Sequence, residues 1–220
     1  MALFLVGIAA AVGIVTAIVP DPKREGRLAV LVDGQPTAVV SLDDIERLNL
    51  GVGATIDPSV LAEADADCAL YDRALRLLAF RSRSSADLRR RLKRDVADAG
   101  AGRVDRVIRA LESRGFLDDA AHARSVTRSR VRSRGAASRR IEQELRRQGV
   151  AQDVAAEAIS EVFADEAVDE ATVAQTVARK RAAQLADLPA PVRRRRLYGY
   201  LARRGYSPDV VRRAIEAVLK

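Results

Sequence analysis

One motif is written three times along this chain. Leu88 with Leu92, Ile141 with Leu145 and Leu197 with Leu201 each place two apolar residues four apart, the spacing of one face of a helix. Each pair is followed by a second helical stripe: Val104, Val107, Ile108, Leu111; then Ala155, Ala158, Ile159, Val162; then Val211, Ala214, Ile215, Val218. A repeat of this kind folds as stacked helical modules that bury their faces against their neighbours, and such stacks act mainly through extended surfaces. Function is therefore to be sought along a surface, not in a pocket.

The repeat predicts a mainly α fold: three tandem three-helix repeats in an extended curved stack, preceded by a small N-terminal β-meander. The divisions are an N-terminal β-containing region at 1–66 and helical repeats at 67–117, 118–164 and 165–220. Helices are expected near 67–80, 84–97 and 103–114, then 119–132, 136–147 and 151–163, then 167–186, 190–204 and 207–219. Start signals support these positions. Ser84 with Asp87 three residues on is a capping-box pattern, Asp118 or Asp119 is a cap, and Pro191 and Ser207-Pro208-Asp209 open the last two helices. Gly135 and Gly149 are breaks, and the first repeat has a longer connection through Ala97 to Gly102. Hydrophobic residues make up 48% of the chain but aromatics only 4%, without Trp, so the core must be built from Ala, Leu, Val and Ile.

The amino terminus carries no charge over residues 1–19, which admits a membrane span or a signal-peptide core. The strand reading is stronger. No basic residue precedes the apolar run, Gly7 and Gly13 interrupt it, and Gly13 to Val19 is β-branched. Leu28 to Val32 and Thr37 to Val40 supply two more short strands around the tight-turn pair Asp33-Gly34, a short helix follows at 42–48, and the first eleven residues read as an extension.

Charge divides the chain. Residues 1–70 hold 4 basic and 10 acidic side chains, whereas residues 71–220 hold 34 and 20, so the repeat region owns all of the net +8. Only four of the 38 basic residues are lysines; the cation in use is guanidinium, whose planar fork suits phosphate and carboxylate. With Leu92, Leu145 and Leu201 aligned, Arg94, Arg147 and Arg203 fall at one shared angle, roughly opposite the apolar pair. Lys93 and Arg146 share the adjacent position. A helix whose exposed face is almost wholly cationic repels itself by a few tenths of a kcal/mol per like pair, about the size of an exposed i,i+4 term, unless a partner neutralises it. The candidate binding residues are Arg81, Arg89, Arg90, Lys93 and Arg94; Arg128 and Arg132; Arg139, Arg140, Arg146 and Arg147; and Arg194, Arg195, Arg203 and Arg204. Nucleic-acid phosphate is the commonest partner for such a surface, with strong salt dependence. Only Tyr198, Tyr200 and Tyr206 lie near these cations, so backbone contact without sequence readout is expected.

Other constellations carry less. Asp118-Asp119 reads as a cap and solvated turn, not a metal pair; His122 as a helix-surface or interface residue; and Cys68 as a small buried or half-buried one. No P-loop, zinc spacing, nucleophile elbow or acid/base pair is present. The expectation is a non-enzyme without catalytic residues, metal or cofactor, and one Cys without a disulfide fits a reducing cytoplasm.

In order and spacing these residues resemble the RecX family of bacterial regulators of the RecA recombinase. The first repeat matches through Tyr71, Ala74-Leu75, Leu78, Arg81, Ser84, Asp87-Leu88, Leu92, Val107-Ile108, Leu111 and Gly115 to Asp119. The second matches through Arg128, Gly135, Arg140-Ile141, Glu144-Leu145 and Gly149-Val150, and the third through Leu197, Leu201, Arg203, Gly205-Tyr206 and Val211 to Leu219. Gly13 to Ile18 and Val32 to Gly34 look like the family's leader. Two departures are His122, where the family more often has an aromatic, and the longer loop before Val104. The resemblance implies a monomer that lies on the recombinase filament on single-stranded DNA and inhibits its ATPase, strand-exchange and coprotease activities, modulating DNA repair and recombination. A rival reading is a helix-turn-helix transcription regulator; it would need one dominant recognition helix, whereas here the charge is spread over three copies. A second rival is a membrane-anchored protein held by residues 1–19.

Overall fold

The computed structural model describes residues 12–96 and 101–219. In chain order the elements are β1 (Gly13–Pro20), β2 (Leu28–Val32), β3 (Gln35–Val40), α1 (Leu42–Arg47), β4 (Thr55–Ile56), α2 (Pro58–Phe80), α3 (Ser85–Asp95), α4 (Ala101–Ser113), α5 (Asp119–Arg134), α6 (Ser138–Gln148), α7 (Gln152–Asp165), α8 (Glu170–Ala183), α9 (Ala190–Ala202) and α10 (Pro208–Val218). The mainly α architecture with an N-terminal antiparallel sheet is as expected. The eleven leading residues and most of the Ala97 to Gly102 connection lie outside the described residues.

The chain divides into two compact units. One runs up to Phe80 and resumes over Asp95–Ala110; the other comprises Arg81–Arg94 and Leu111–Lys220. The division passes through the stretch expected to be the first repeat, placing α3 with the later helices.

In the first unit β1, β2 and β3 form the expected meander. Asp33 and Gly34 both take positive φ, 50° and 77°, as a two-residue turn between right-twisted strands requires. A fourth strand, β4, pairs with β1 through Gly13 to Ile56 and Ile14 to Thr55, giving the order β3-β2-β1-β4. Two residues are too few to show alternation, which is why the sequence reads as loop there. Alternate strand residues Val15, Val30, Val32, Ala38 and Val40 join Leu61 and Ala64 of α2 in one core. Residues 13–20 are therefore a sheet strand, and no helix among the described residues is long and apolar enough to cross a membrane. Acids of this unit are met from within it: Asp67 accepts from Arg103 at 2.8 Å and Arg106 at 2.7 Å, and Glu63 pairs with Arg103 at 2.8 Å.

In the second unit α5, α6 and α7 enclose Ala123, Ile141, Leu145, Ala155, Ala158 and Ile159. The last three helices enclose Ala174, Ala178, Leu197, Leu201, Val211, Ala214 and Ile215. Small Ala residues at these faces let helix backbones approach closely. Helix α8 starts later than the apolar pattern predicts because Asp169 caps it, accepting the amides of Ala171 and Thr172.

Candidate polyanion-binding ridge

The second helix of each triplet carries the cations. Each of α3, α6 and α9 buries only two residues, Leu88 and Leu92, Ile141 and Leu145, and Leu197 and Leu201, all with 0% exposure. So narrow an apolar stripe leaves most of each helix surface to charge.

These helices meet end to end. At the start of α3, the Ser84 hydroxyl accepts the amide of Asp87 and donates to the carbonyl of Gln148, the last residue of α6, at 2.5 Å. Arg90 donates to the same carbonyl at 3.4 Å. At the start of α6, the amide of Ala137 donates to the carbonyl of Arg204, in the turn closing α9, at 3.1 Å. In both junctions the carbonyl-rich end of a later helix faces the amide-rich start of an earlier one, which satisfies groups that helix ends leave open.

A carboxylate repeats with the junction. Asp119, in the first turn of α5, accepts the amide of Ser85 at 2.7 Å, and Glu170, in the first turn of α8, accepts that of Ser138 at 2.6 Å. Each acid thus sits at two helix N-termini at once, where negative charge is favoured. The doublets Asp118-Asp119 and Asp169-Glu170 divide the labour: the first residue caps its own helix, the second ties it to the preceding repeat. Asp119 was expected in a solvated turn; the recurrence of an acid after the cap is the signal that could have revealed its role.

The Ser84 and Asp87 capping box is half made. Arg83 takes the Asp87 carboxylate at 2.7 Å, with Arg81 and Arg90 at 3.6 Å. Burial pushes the Asp87 carboxyl up, but these guanidinium groups outweigh it and hold it below the usual range.

The predicted cations separate into two sets. Lys93, Arg94, Arg139, Arg140, Arg146, Arg147, Arg195 and Arg203 are exposed, and none has a carboxylate partner among the described residues. Others are met internally. Arg128 pairs with Asp165 at 3.5 Å and Glu166 at 3.6 Å, Arg132 with Glu166 at 2.7 Å and Arg194 with Glu216 at 3.7 Å. Arg204 lies 4.0 Å from the centre of the Tyr200 ring, and Arg89 is half-buried. The cluster on α5 is therefore largely offset by the end of α7, while the surfaces of α3, α6 and α9 stay positive.

His122 is not a surface residue. It is 7% exposed, with Ser82 Oγ 2.7 Å from Nδ1 and Gln148 Oε1 2.6 Å from Nε2. Cys68 is buried as expected, and burial pushes its thiol up to about 11.

Residues 118–159 match the family described as "RecX, second three-helix domain", and residues 169–215 match "RecX, third three-helix domain", in that order along the chain. Over these two stretches the chain is similar to RecX domains. "Regulatory protein RecX" of Limosilactobacillus reuteri strain DSM 20016 is 27% identical over 127 residues, covering 56% of this chain and 47% of that protein. The protein of the same name from L. reuteri subsp. reuteri strain JCM 1112 matches to the same extent. The chain spans about half the length of the curated RecX relatives it matches. A crystal structure of regulatory protein RecX shares the fold with a TM-score of 0.76 at 22% identity, covering 93% of this chain and 99% of that one. The crystal structure of RecX from Lactobacillus salivarius does so at 0.59 and 19%, covering 70% and 97%.

One side chain ties the last two three-helix domains and gives a pH signature. The Tyr206 hydroxyl donates to the carbonyl of Gly135 at 2.7 Å. Burial pushes its pKa up to about 12, with the Glu170 charge adding and Arg204 opposing. An unfolded Tyr ionises near 10, so the stability this residue contributes is complete below about pH 10 and is lost as pH rises toward 12. Chemical denaturation from pH 9 to 12 should show the native chain losing stability more steeply than Tyr206→Phe; parallel curves would mean that the hydroxyl does not stay neutral in the fold.

Proposed function

We propose that this chain is a non-catalytic regulator that docks on a RecA-type recombinase filament assembled on single-stranded DNA and inhibits its ATPase, strand-exchange and coprotease activities. The observation that carries the reading is the end-to-end arrangement of α3, α6 and α9, with exposed cations on each that have no carboxylate partner among the described residues. The relatives it resembles are named regulatory proteins. At 1.5 Å per residue the three helices have a contour of about 50 Å, long enough for many weak contacts held on one scaffold to add as avidity without a deep pocket. A filament bridged in this way cannot readily change pitch. The chain acts as a monomer, in the cytoplasm, and touches nucleic acid without reading sequence.

The test adds purified protein to preformed recombinase filaments and follows ATP hydrolysis at several salt concentrations. Inhibition that weakens steeply with salt is expected, since exposed charges are screened within about 8 Å at physiological ionic strength. Absent inhibition, or inhibition indifferent to salt, would overturn the ridge as the docking surface.

A further inference from the structure

The two junctions between successive ridge helices are not alike. Where α6 meets the turn closing α9, Arg139, Arg140, Gln143, Ala202, Arg203 and Tyr206 are among the residues lining a cavity of about 300 Å³, and no carboxylate among the described residues lines it. The three guanidinium groups have no carboxylate partner among the described residues. At the junction of α3 with α6, the position equivalent to Arg140, five before the second buried leucine, is Asp87. There the carboxylate is enclosed by Arg81, Arg83 and Arg90. The first junction is thus closed by an anion of the chain itself, and the second presents the same kind of cationic cup without one.

Three arginines lining one cavity suit a phosphate, each guanidinium being able to donate in a planar pair. An acidic side chain would also satisfy them, and the neighbouring residues decide between the two. Tyr198 is 43% exposed. It lies four residues before Ala202 on α9, hence on the same face and one turn from the cavity, with exposed Arg195 three residues before it. An exposed ring beside a cationic cavity with room for a phosphate matches one nucleotide unit of a single strand, the phosphate in the cup and the unpaired base on the ring. A duplex keeps its bases stacked, and an acidic peptide has no use for the ring.

We propose that the cleft between α6 and the end of α9 anchors single-stranded nucleic acid, one phosphate held by Arg139, Arg140 and Arg203 and the adjoining base stacked on Tyr198. The site rests on the reading of the ridge as a polyanion surface and adds to it a direct grip on the strand that needs no recombinase.

The test uses the full chain and fluorescence anisotropy with labelled oligo(dT) and with an abasic oligomer of equal length, recombinase absent. Tyr198→Ala should weaken oligo(dT) binding roughly tenfold while leaving the abasic oligomer unaffected, and Tyr198→Phe should restore it. Arg139→Gln with Arg203→Gln should weaken both ligands and make the slope of log K against log salt shallower by about 0.7 for each phosphate no longer neutralised. Equal effects of Tyr198→Ala on both oligomers, or none on either, would overturn the stacking site. Polyglutamate displacing oligo(dT) as well as an equal charge of unlabelled oligo(dT) would replace the strand by an acidic segment. Filament inhibition measured alongside separates the two readings. A chain that inhibits filaments without binding oligo(dT) sinks the anchor alone; one that binds as described without inhibiting sinks the regulatory reading alone.

Discussion

Replacing Arg94, Arg147 and Arg203 together by Glu is expected to abolish inhibition of preformed filaments while leaving helical content intact. The three positions are exposed and have no carboxylate partner among the described residues, so their reversal breaks no ion pair among those residues. Two of them close their helices directly, Arg94 and Arg147 in the last turns of α3 and α6, and Arg203 caps α9. A cation there complements the helix dipole, and each reversal should therefore take about 0.3–1 kcal/mol from the fold. The effect on docking is larger. A surface pair at 4 Å contributes about 1 kcal/mol in water, and reversal turns attraction into repulsion of similar size. With half of that screened, three reversals still weaken docking on the order of a hundredfold. The measurement is ATP turnover at fixed filament concentration, with circular dichroism as the fold check. A neutral triple variant, Arg→Gln at the same positions, should fall between the two. Unchanged inhibition by the reversed variant would remove these residues from the docking surface.

The largest stability effect is expected at Gly205→Ala. Gly205 has φ +92°, and a Cβ there would lie 2.9 Å from the backbone nitrogen of Arg140 and 2.7 Å from its Cβ. The left-handed conformation alone costs a side chain about 1–2 kcal/mol. Displacing the start of α6 adds overpacking of about 1–3 kcal/mol. Backbone cannot rotate away as a side chain can, and the amide of Ala137 would lose its carbonyl partner at Arg204. At about 2–4 °C per kcal/mol for a chain of this size, the melting temperature should fall on the order of 10 °C, with loss of hydrogen-exchange protection at Ala137. Gly115→Ala is the control: its φ is +72° with nothing within 4 Å, so only the conformational term applies. Equal melting shifts in the two variants would mean that the junction yields without resistance.

Much of this was legible beforehand because helix burial follows local period. The apolar pairs on α3, α6 and α9 are all fully buried, and the turn at Asp33-Gly34 forms where its dipeptide said it would. The fourth strand was not legible, since Thr55 and Ile56 gain their meaning from β1, forty residues earlier. Nor could the ridge be separated from the α5 cluster. Arg128 and Arg132 carry the same charge as Arg94 and Arg147, and only the approach of Asp165 and Glu166 at the end of α7 offsets them. Nor could the two readings of His122, surface or interface, be separated, for the same reason: Ser82 and Gln148, the partners that make it a buried interface residue, lie 40 and 26 residues away.

The order of residues alone determined which faces of each helix are apolar and which are charged, because a period of 3.6 converts spacing into angle with no further information. It also determined where α5, α8 and α10 start, through caps that act within one turn; α6, α7 and α9 start without a side-chain cap bond, and α2 starts at Pro58 instead of near 67. Tertiary structure alone decided which cations remain unpaired, how α3, α6 and α9 join through Ser84, Asp119 and Glu170, and why one junction is closed by Asp87 while the other stands open. Those outcomes depend on distances between residues far apart in the chain, and charge at a position carries no record of what will be folded against it.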